Sequence, residues 1–212
     1  MNKITIEFFN DVICSFCFPM SYRMRQVQKV MPEVEIRHRS FALARSEEEY
    51  KAMFGSRAAA KEEIVTHWEQ ANRIDDLHRF NIDGMKKTDF PFPTSMKPLR
   101  ACKAAFLTAG DDAYWDVFDA LQKAFFVDNR NIEDEEIIGE CVKDCGLDLE
   151  VWKSHYNSDV ALEAVEKELE LAKSYEIRSV PCLVVNGTHP ISGVLPLDQI
   201  LRMIREAGST QE

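Results

Sequence analysis

Lys3-Ile-Thr-Ile-Glu-Phe-Phe-Asn-Asp-Val-Ile-Cys-Ser-Phe-Cys17 is the stretch on which the fold turns. Ile4, Ile6 and Phe8 alternate with other residues, which predicts a strand over about residues 3–9. Asn10-Asp11 breaks the alternation and starts a turn that runs to Phe16. Met20, Met24, Val27 and Met31 then recur at helical spacing, so a helix follows from Pro19 to Val30. Pro19 is tolerated in a first turn, where a missing N–H costs no bond. Pro32 ends the helix, and the alternating Val34-Glu-Ile-Arg-His-Arg-Ser40 predicts a second strand. The opening is therefore β-α-β, a unit that favours parallel strands joined by a right-handed crossover.

Cys14-Ser15-Phe16-Cys17 lies at the junction of strand and helix. That spacing in a first helical turn brings two side chains within disulfide reach. The free N–H groups and the positive dipole end of the helix stabilise a thiolate on Cys14. Cys14 then attacks a substrate disulfide, and Cys17, further inside, resolves the mixed disulfide. A structural zinc site needs four ligands, and the chain has no second C-x-x-C, so no metal is expected. Two incidental core cysteines fit a strand-to-helix turn poorly.

From about Ser46 to Tyr175 the patterns are helical. Tyr114, Phe118, Leu121 and Phe125 share one face, as do Ile137, Cys141 and Cys145, and Leu162, Val165, Leu169 and Ala172 mark a later helix. Asp89-Phe-Pro-Phe-Pro-Thr-Ser-Met-Lys-Pro98 carries three prolines and predicts a loop. Strands return at Cys182-Leu-Val-Val185. Asn186-Gly187 signals a hairpin turn, and His189 to Ser192 can pair back. A last helix opens at Pro196 and is expected to stop at Gly208. The expected architecture is an α/β fold: a small mixed sheet from residues 1–45 and 176–212, interrupted by an all-helical insertion over residues 46–175. Ser179-Val180-Pro181-Cys182 places a proline directly before the apolar strand. A strand-start proline with a trans bond and a cis Val180–Pro181 bond are both open there.

The sequence resembles the DsbA family of the thioredoxin superfamily, and within it the cytosolic FrnE-like branch. The likeness rests on Phe8-Phe-Asn-Asp-Val-Ile-Cys-Ser-Phe-Cys17, Val180-Pro181 and Ile191-Ser-Gly-Val-Leu-Pro-Leu-Asp198, with Ala124-Phe-Phe-Val-Asp-Asn-Arg-Asn-Ile-Glu-Asp134 and Gly146-Leu-Asp148 in the insertion. It spans nearly the whole chain. The resemblance implies a thioredoxin-like fold, Cys14 as nucleophile, Cys17 as resolving thiol and Pro181 as a cis-proline facing them. It also implies that the Val180-Pro181 loop receives a substrate chain by backbone pairing. Asp11 matches an acidic position of the family, either orienting the loop or moving a proton. Ser15-Phe16 departs from the proline-containing pairs of well-known relatives. Thr94-Ser-Met-Lys-Pro-Leu-Arg100 lacks a histidine expected near its helix start, and Leu99 or a neighbour stands there.

The remaining cysteines divide. Cys102, in Arg100-Ala-Cys-Lys-Ala-Ala-Phe106, reads as core. Cys141 and Cys145 read as core or as an accessory pair able to close a strained, reducible disulfide. Strand alternation points Cys182 away from Pro181, which leaves it a core residue with a minor redox role open. Phe90-Pro-Phe-Pro93 reads either as the border of an apolar groove or as a packed loop. The acidic runs Glu47 to Glu49 and Glu163 to Glu170 read as solvated helix faces.

Composition narrows the partners. The chain has 212 residues and six cysteines, with 45% hydrophobic and 29% charged residues and a net charge of −10. An acidic balance argues against nucleic acid and anionic membrane surfaces. Neither a signal-length apolar run after Met1-Asn2-Lys3 nor a membrane-length one elsewhere is seen, so a cytoplasmic location with reduced thiols is expected. The expected activity is thiol–disulfide exchange on protein or small-molecule disulfides by a monomer or homodimer. No cofactor is expected to be held tightly, and glutathione is a candidate redox partner. The rivals are a glutathione-dependent transferase or isomerase on the same scaffold, and a non-enzymatic holdase.

Overall fold

A computed structural model describes residues 3–209. One four-stranded sheet has the order β2-β1-β3-β4. Strands β1 (Thr5–Asn10) and β2 (Glu35–Ser40) are parallel, with Ile6 opposite Ile36 and Phe8 opposite His38. Helix α1 (Cys17–Val30) makes the crossover between them. Strand β3 (Cys182–Val185) runs antiparallel to β1, and β4 (Ile191–Ser192) pairs with β3 at the edge. Asn186 and Gly187 both take positive φ, of 50° and 68°, as the expected tight turn requires.

The chain between β2 and β3 is entirely helical: α2 (Glu47–Phe54), α3 (Arg57–Ile74), α4 (Ile82–Lys87), α5 (Met96–Ala109), α6 (Asp111–Phe126), α7 (Glu135–Asp144), α8 (Leu149–Tyr156) and α9 (Asp159–Ser174). Helix α10 (Leu197–Ser209) follows β4 and packs on α1. Pro98 and Gly208 both fall inside helices, against expectation. Pro98 lies inside α5, because it falls in the first turn, where the N–H groups have no intrahelical acceptor to lose. Gly208 does not stop α10 but sits within it, and its Cα lies so close to Ile4 that an added Cβ would come to 3.2 Å from the Ile4 side chain.

The pleat divides the core. Ile6, Phe8, Ile36, Leu183 and Val185 face the large core shared with α1, α10 and the insertion. Phe9, Cys182 and Val184 face the other way, onto Ala172 and Ile177. The insertion and the sheet share one interior. Phe18, one residue beyond Cys17, stacks on Phe126 at 5.3 Å and meets Phe80 edge-on at 5.4 Å, and Trp68 lies 4.9 Å from Phe126. His38 is buried among Phe8, Tyr114, Trp115 and Phe118. Burial pushes its pKa well down, so the ring is neutral.

Glu168 breaks the reading of its segment as a solvated face. It is only 8% exposed, and its carboxylate accepts bonds from Lys103 Nζ at 2.6 Å, Arg39 Nη1 at 3.2 Å and the Ser40 N–H at 2.8 Å. Arg39 in turn binds Glu7, which also accepts the Tyr175 hydroxyl. This network ties α9 and α5 to β1 and β2. Removing one partner of a buried pair strands the other's charge. Glu168→Ala is therefore expected to destabilise the protein by about 3–5 kcal/mol, read as a lowered urea midpoint. Glu166→Ala, which breaks an exposed pair with Arg45, should cost less than about 1 kcal/mol.

Candidate active site

The turn between β1 and α1 is held by its own backbone: Cys14 N–H bonds the Asp11 carbonyl at 3.1 Å, and Cys17 N–H bonds the Cys14 carbonyl at 3.0 Å. Cys17 is the first residue of α1, and Cys14 stands before the helix rather than within its first turn. The cap residue Phe16 makes no side-chain cap bond. Cys14 Sγ fills that role by accepting the Cys17 N–H at 3.2 Å. A sulfur at this position meets both a fixed donor and the positive end of the helix. Across the turn, the Cys14 thiol donates to the Val180 carbonyl at 3.6 Å. The Val180–Pro181 peptide is cis, and the Pro181 carbonyl accepts the Gly193 N–H at 2.8 Å, so this loop is pinned to the β4 edge.

Cys17 is fully buried. Burial pushes its thiol pKa well up, and a hydrogen bond to Cys14 with the nearby charges of Cys14 and Asp11 adds to the rise. The two cysteines therefore differ by construction: Cys14, only 4% exposed, has a backbone donor at its sulfur, and Cys17 is fully buried and kept protonated.

Asp11 is also fully buried. Its Oδ1 accepts the Ile13 N–H at 3.2 Å, and its Oδ2 accepts the Leu43 N–H at 2.7 Å and the Ser95 hydroxyl at 2.6 Å. Desolvation outweighs these bonds and raises its pKa from 3.8 to about 6. Sequence reading singled out Asp11 but missed Ser95, which lies in the proline-rich stretch read as a loop. It also missed Gln122 on α6, a buried side chain that donates to the Val12 carbonyl at 3.3 Å from beneath the turn. No local signal marks either residue, since both matter only through segments distant in sequence.

Beside Cys14 opens a cavity of about 250 Å³, lined by Ile13, Cys14, Ser15, Phe16 and Val180 on one side. Leu43, Ala44, Tyr50, Met53, Phe54, Ile64 and Phe92 line the other. Phe92 thus places the proline-rich loop at the groove, and Tyr50 anchors that loop through a bond from its hydroxyl to the Pro93 carbonyl at 2.7 Å. None of the lining side chains is charged. Cys182 lies on the opposite face of the sheet. Cys141, on α7, and Cys145, at its C-terminal cap, are free thiols outside this cavity, and burial raises the pKa of both, Cys145 to about 11. Cys102 and Leu99 are buried in the core. Among the described residues no cluster of His, Cys, Asp and Glu could hold a metal ion, and no helix is long and apolar enough to cross a membrane.

A strand-to-helix C-x-x-C opposite a cis-proline, on a sheet split by a helical insertion, defines a thioredoxin-type site. The chain belongs to the DSBA-like thioredoxin domain family, whose model matches residues 5–205. It is similar to a candidate protein disulfide isomerase from Nitrosomonas europaea, at a TM-score of 0.78 and 17% identity, with 100% of each chain covered. It is also similar to the cytosolic disulfide reductase DsbM from Pseudomonas aeruginosa, at a TM-score of 0.71 and 16% identity over 98% of this chain and 96% of that one. In sequence it is 24% identical over 187 residues to the ClpXP adapter protein SpxH of Bacillus subtilis, covering 87% of this chain and 59% of that protein. The chain thus spans less than two thirds of that relative's length.

Raising a carboxyl pKa on folding makes the ionised form the costly one. The native state binds the proton more tightly than the unfolded chain, so stability falls as pH rises from about 4 to about 6. Asp11 is expected to contribute a loss of about 3 kcal/mol across that window. Unfolding free energies of the wild type and Asp11→Asn, compared from pH 4 to pH 7, should converge or cross in that direction.

Proposed function

We propose that this protein is a thiol–disulfide oxidoreductase that uses Cys14 and Cys17 on protein disulfides. The observation that carries the reading is the placement of Cys14 Sγ, which meets the Cys17 N–H on one side, the carbonyl before cis-Pro181 on another and an open apolar groove beyond. Cys14 thiolate attacks a substrate disulfide, and one substrate thiolate departs. Cys17 then loses its proton and attacks Cys14. The Cys14–substrate bond breaks, the Cys14–Cys17 bond forms, and the second substrate thiolate leaves. The substrate gains two electrons, and a thiol reductant returns two electrons to the Cys14–Cys17 disulfide; two molecules of glutathione, leaving as their disulfide, are a candidate.

In this reading Pro181 and Val180 receive the substrate backbone, Ser15 and Phe16 form the lip of the groove, and Asp11 takes the Cys17 proton. An uncharged groove suits disulfides flanked by apolar side chains. Cys141, Cys145 and Cys182 stay outside the cycle: burial disfavours the thiolate of each. The reading further places the protein in a reducing compartment, the cytoplasm, and in the FrnE-like branch of its family. A second reading, a binding protein without turnover, takes support from the apolar groove and from the adapter role in the name of the Bacillus subtilis relative.

Insulin reduction in the presence of dithiothreitol separates the two. Exchange predicts a rate above background that Cys14→Ser abolishes. A binder would keep its biological activity in Cys14→Ser, and that result would sink the enzyme reading. On the reduced protein, iodoacetamide at neutral pH should label Cys14 well ahead of Cys17.

A further inference from the structure

Ser95 belongs to the insertion, yet its side chain works on the exchange turn. It is fully buried, and although it directly precedes α5 its side chain makes no cap bond to that helix. Serine before a helix ordinarily accepts a bond from the helix's own N–H groups. Here the hydroxyl donates to Asp11 Oδ2 at 2.6 Å and accepts the Ala44 N–H at 3.1 Å instead. The Ser95 N–H bonds the Ala44 carbonyl at 2.8 Å, so the serine is locked in place from both ends. The carboxylate it holds also accepts the N–H of Ile13, the residue before Cys14. The titratable groups that feel the Asp11 charge are Cys17 on α1, Tyr50 on α2, Cys102 on α5 and Tyr114 on α6. Each is neutral at pH 7 by burial, which leaves hydrogen bonds to keep this carboxylate ionised. The backbone N–H donors are fixed by the turn and the β2–α2 loop; the Ser95 hydroxyl is the one side-chain donor among the bonds described.

We propose that Ser95 is a positioning residue for disulfide exchange: its hydroxyl keeps the Asp11 carboxylate ionised and oriented to accept the Cys17 proton. The inference rests on the exchange reading above. The proton leaves Cys17 Sγ for Asp11, the Cys17 thiolate attacks Cys14 of the mixed disulfide, and the substrate leaves as its thiolate with the electron pair of the broken S–S bond. Loss of the hydroxyl makes the buried carboxylate harder to ionise, so the step should require higher pH.

The test is the pH profile of kcat/KM for reduction of a disulfide-bonded peptide by the wild type, Ser95→Ala, Ser95→Thr and Asp11→Asn. The wild-type rate is expected to rise through the Asp11 titration at about pH 6. Ser95→Ala should move that limb upward by about one pH unit, with a loss of about fivefold at pH 6 that fades toward pH 9. Ser95→Thr should restore the limb, and Asp11→Asn should remove it. A Ser95→Ala profile superimposed on the wild type, or lowered equally at every pH, overturns the proposal. Carboxyl NMR gives a second reading on the folded protein without turnover, with Ser95→Cys in place of Ser95→Ala if the alanine variant does not fold. An Asp11 titration unmoved by loss of the hydroxyl overturns the proposal as well. If the wild type exchanges no disulfide, the function reading fails, whereas the NMR result still decides whether Ser95 sets the Asp11 charge.

Discussion

A carboxyl group with no access to water must find its hydrogen-bond donors inside the protein. Asp11 finds them in three pieces of chain that are far apart in sequence: Ile13 in the turn, Leu43 after β2 and Ser95 at the head of α5. The bonds run from both oxygens, so the carboxylate cannot rotate without losing one. The Cys14–Cys17 turn, the floor of the apolar groove and the insertion are thereby set relative to one another. The cost of this junction is a carboxyl group that ionises less readily than in water.

The insertion is accordingly not an appendage. Its aromatic residues close over Phe18, the neighbour of Cys17, and its α9 reaches the sheet through Glu168. Lys103 and Glu168 are both nearly excluded from solvent, a pairing that is costly to assemble and more costly to break. Its position between α5, α9 and the two parallel strands means that the insertion docks in one register. The groove beside Cys14 depends on that docking, since Tyr50, Ile64 and Phe92 come from the insertion and Cys14, Phe16 and Val180 from the thioredoxin-like part.

The groove also relates the two functional readings. An apolar, uncharged surface beside Cys14 would suit a polypeptide whether or not exchange follows. What distinguishes a catalyst is the asymmetry of the thiols. Cys14 has a backbone donor and an opening to the groove, and Cys17 is buried and kept protonated. A surface meant only for binding has no need of a second thiol held in reserve behind the first.

Much was legible from local pattern alone. Alternation at Ile4, Ile6 and Phe8, helical spacing at Met20, Met24 and Val27, and the turn at Asn186-Gly187 are short-range signals, because each reflects the geometry of a single element. They determined the β-α-β opening, the helical middle and the closing hairpin, and they put two cysteines at a helix terminus. Where local rules failed, a neighbour distant in sequence had intervened. Pro98 and Gly208 punctuate helices by rule, but one falls in a first turn and the other lies against Ile4. Glu168 carries the pattern of a solvated face and is buried by two cations brought from β2 and α5. Ser95 lies in a stretch read as a loop, yet its hydroxyl binds Asp11. Sequence by itself determined the elements and the place of two cysteines at a strand-to-helix turn, because propensity and spacing act over a few residues. Only the tertiary structure decided which polar groups share a buried site, because desolvation and hydrogen bonding depend on what packs around a side chain, not on what precedes it in the chain.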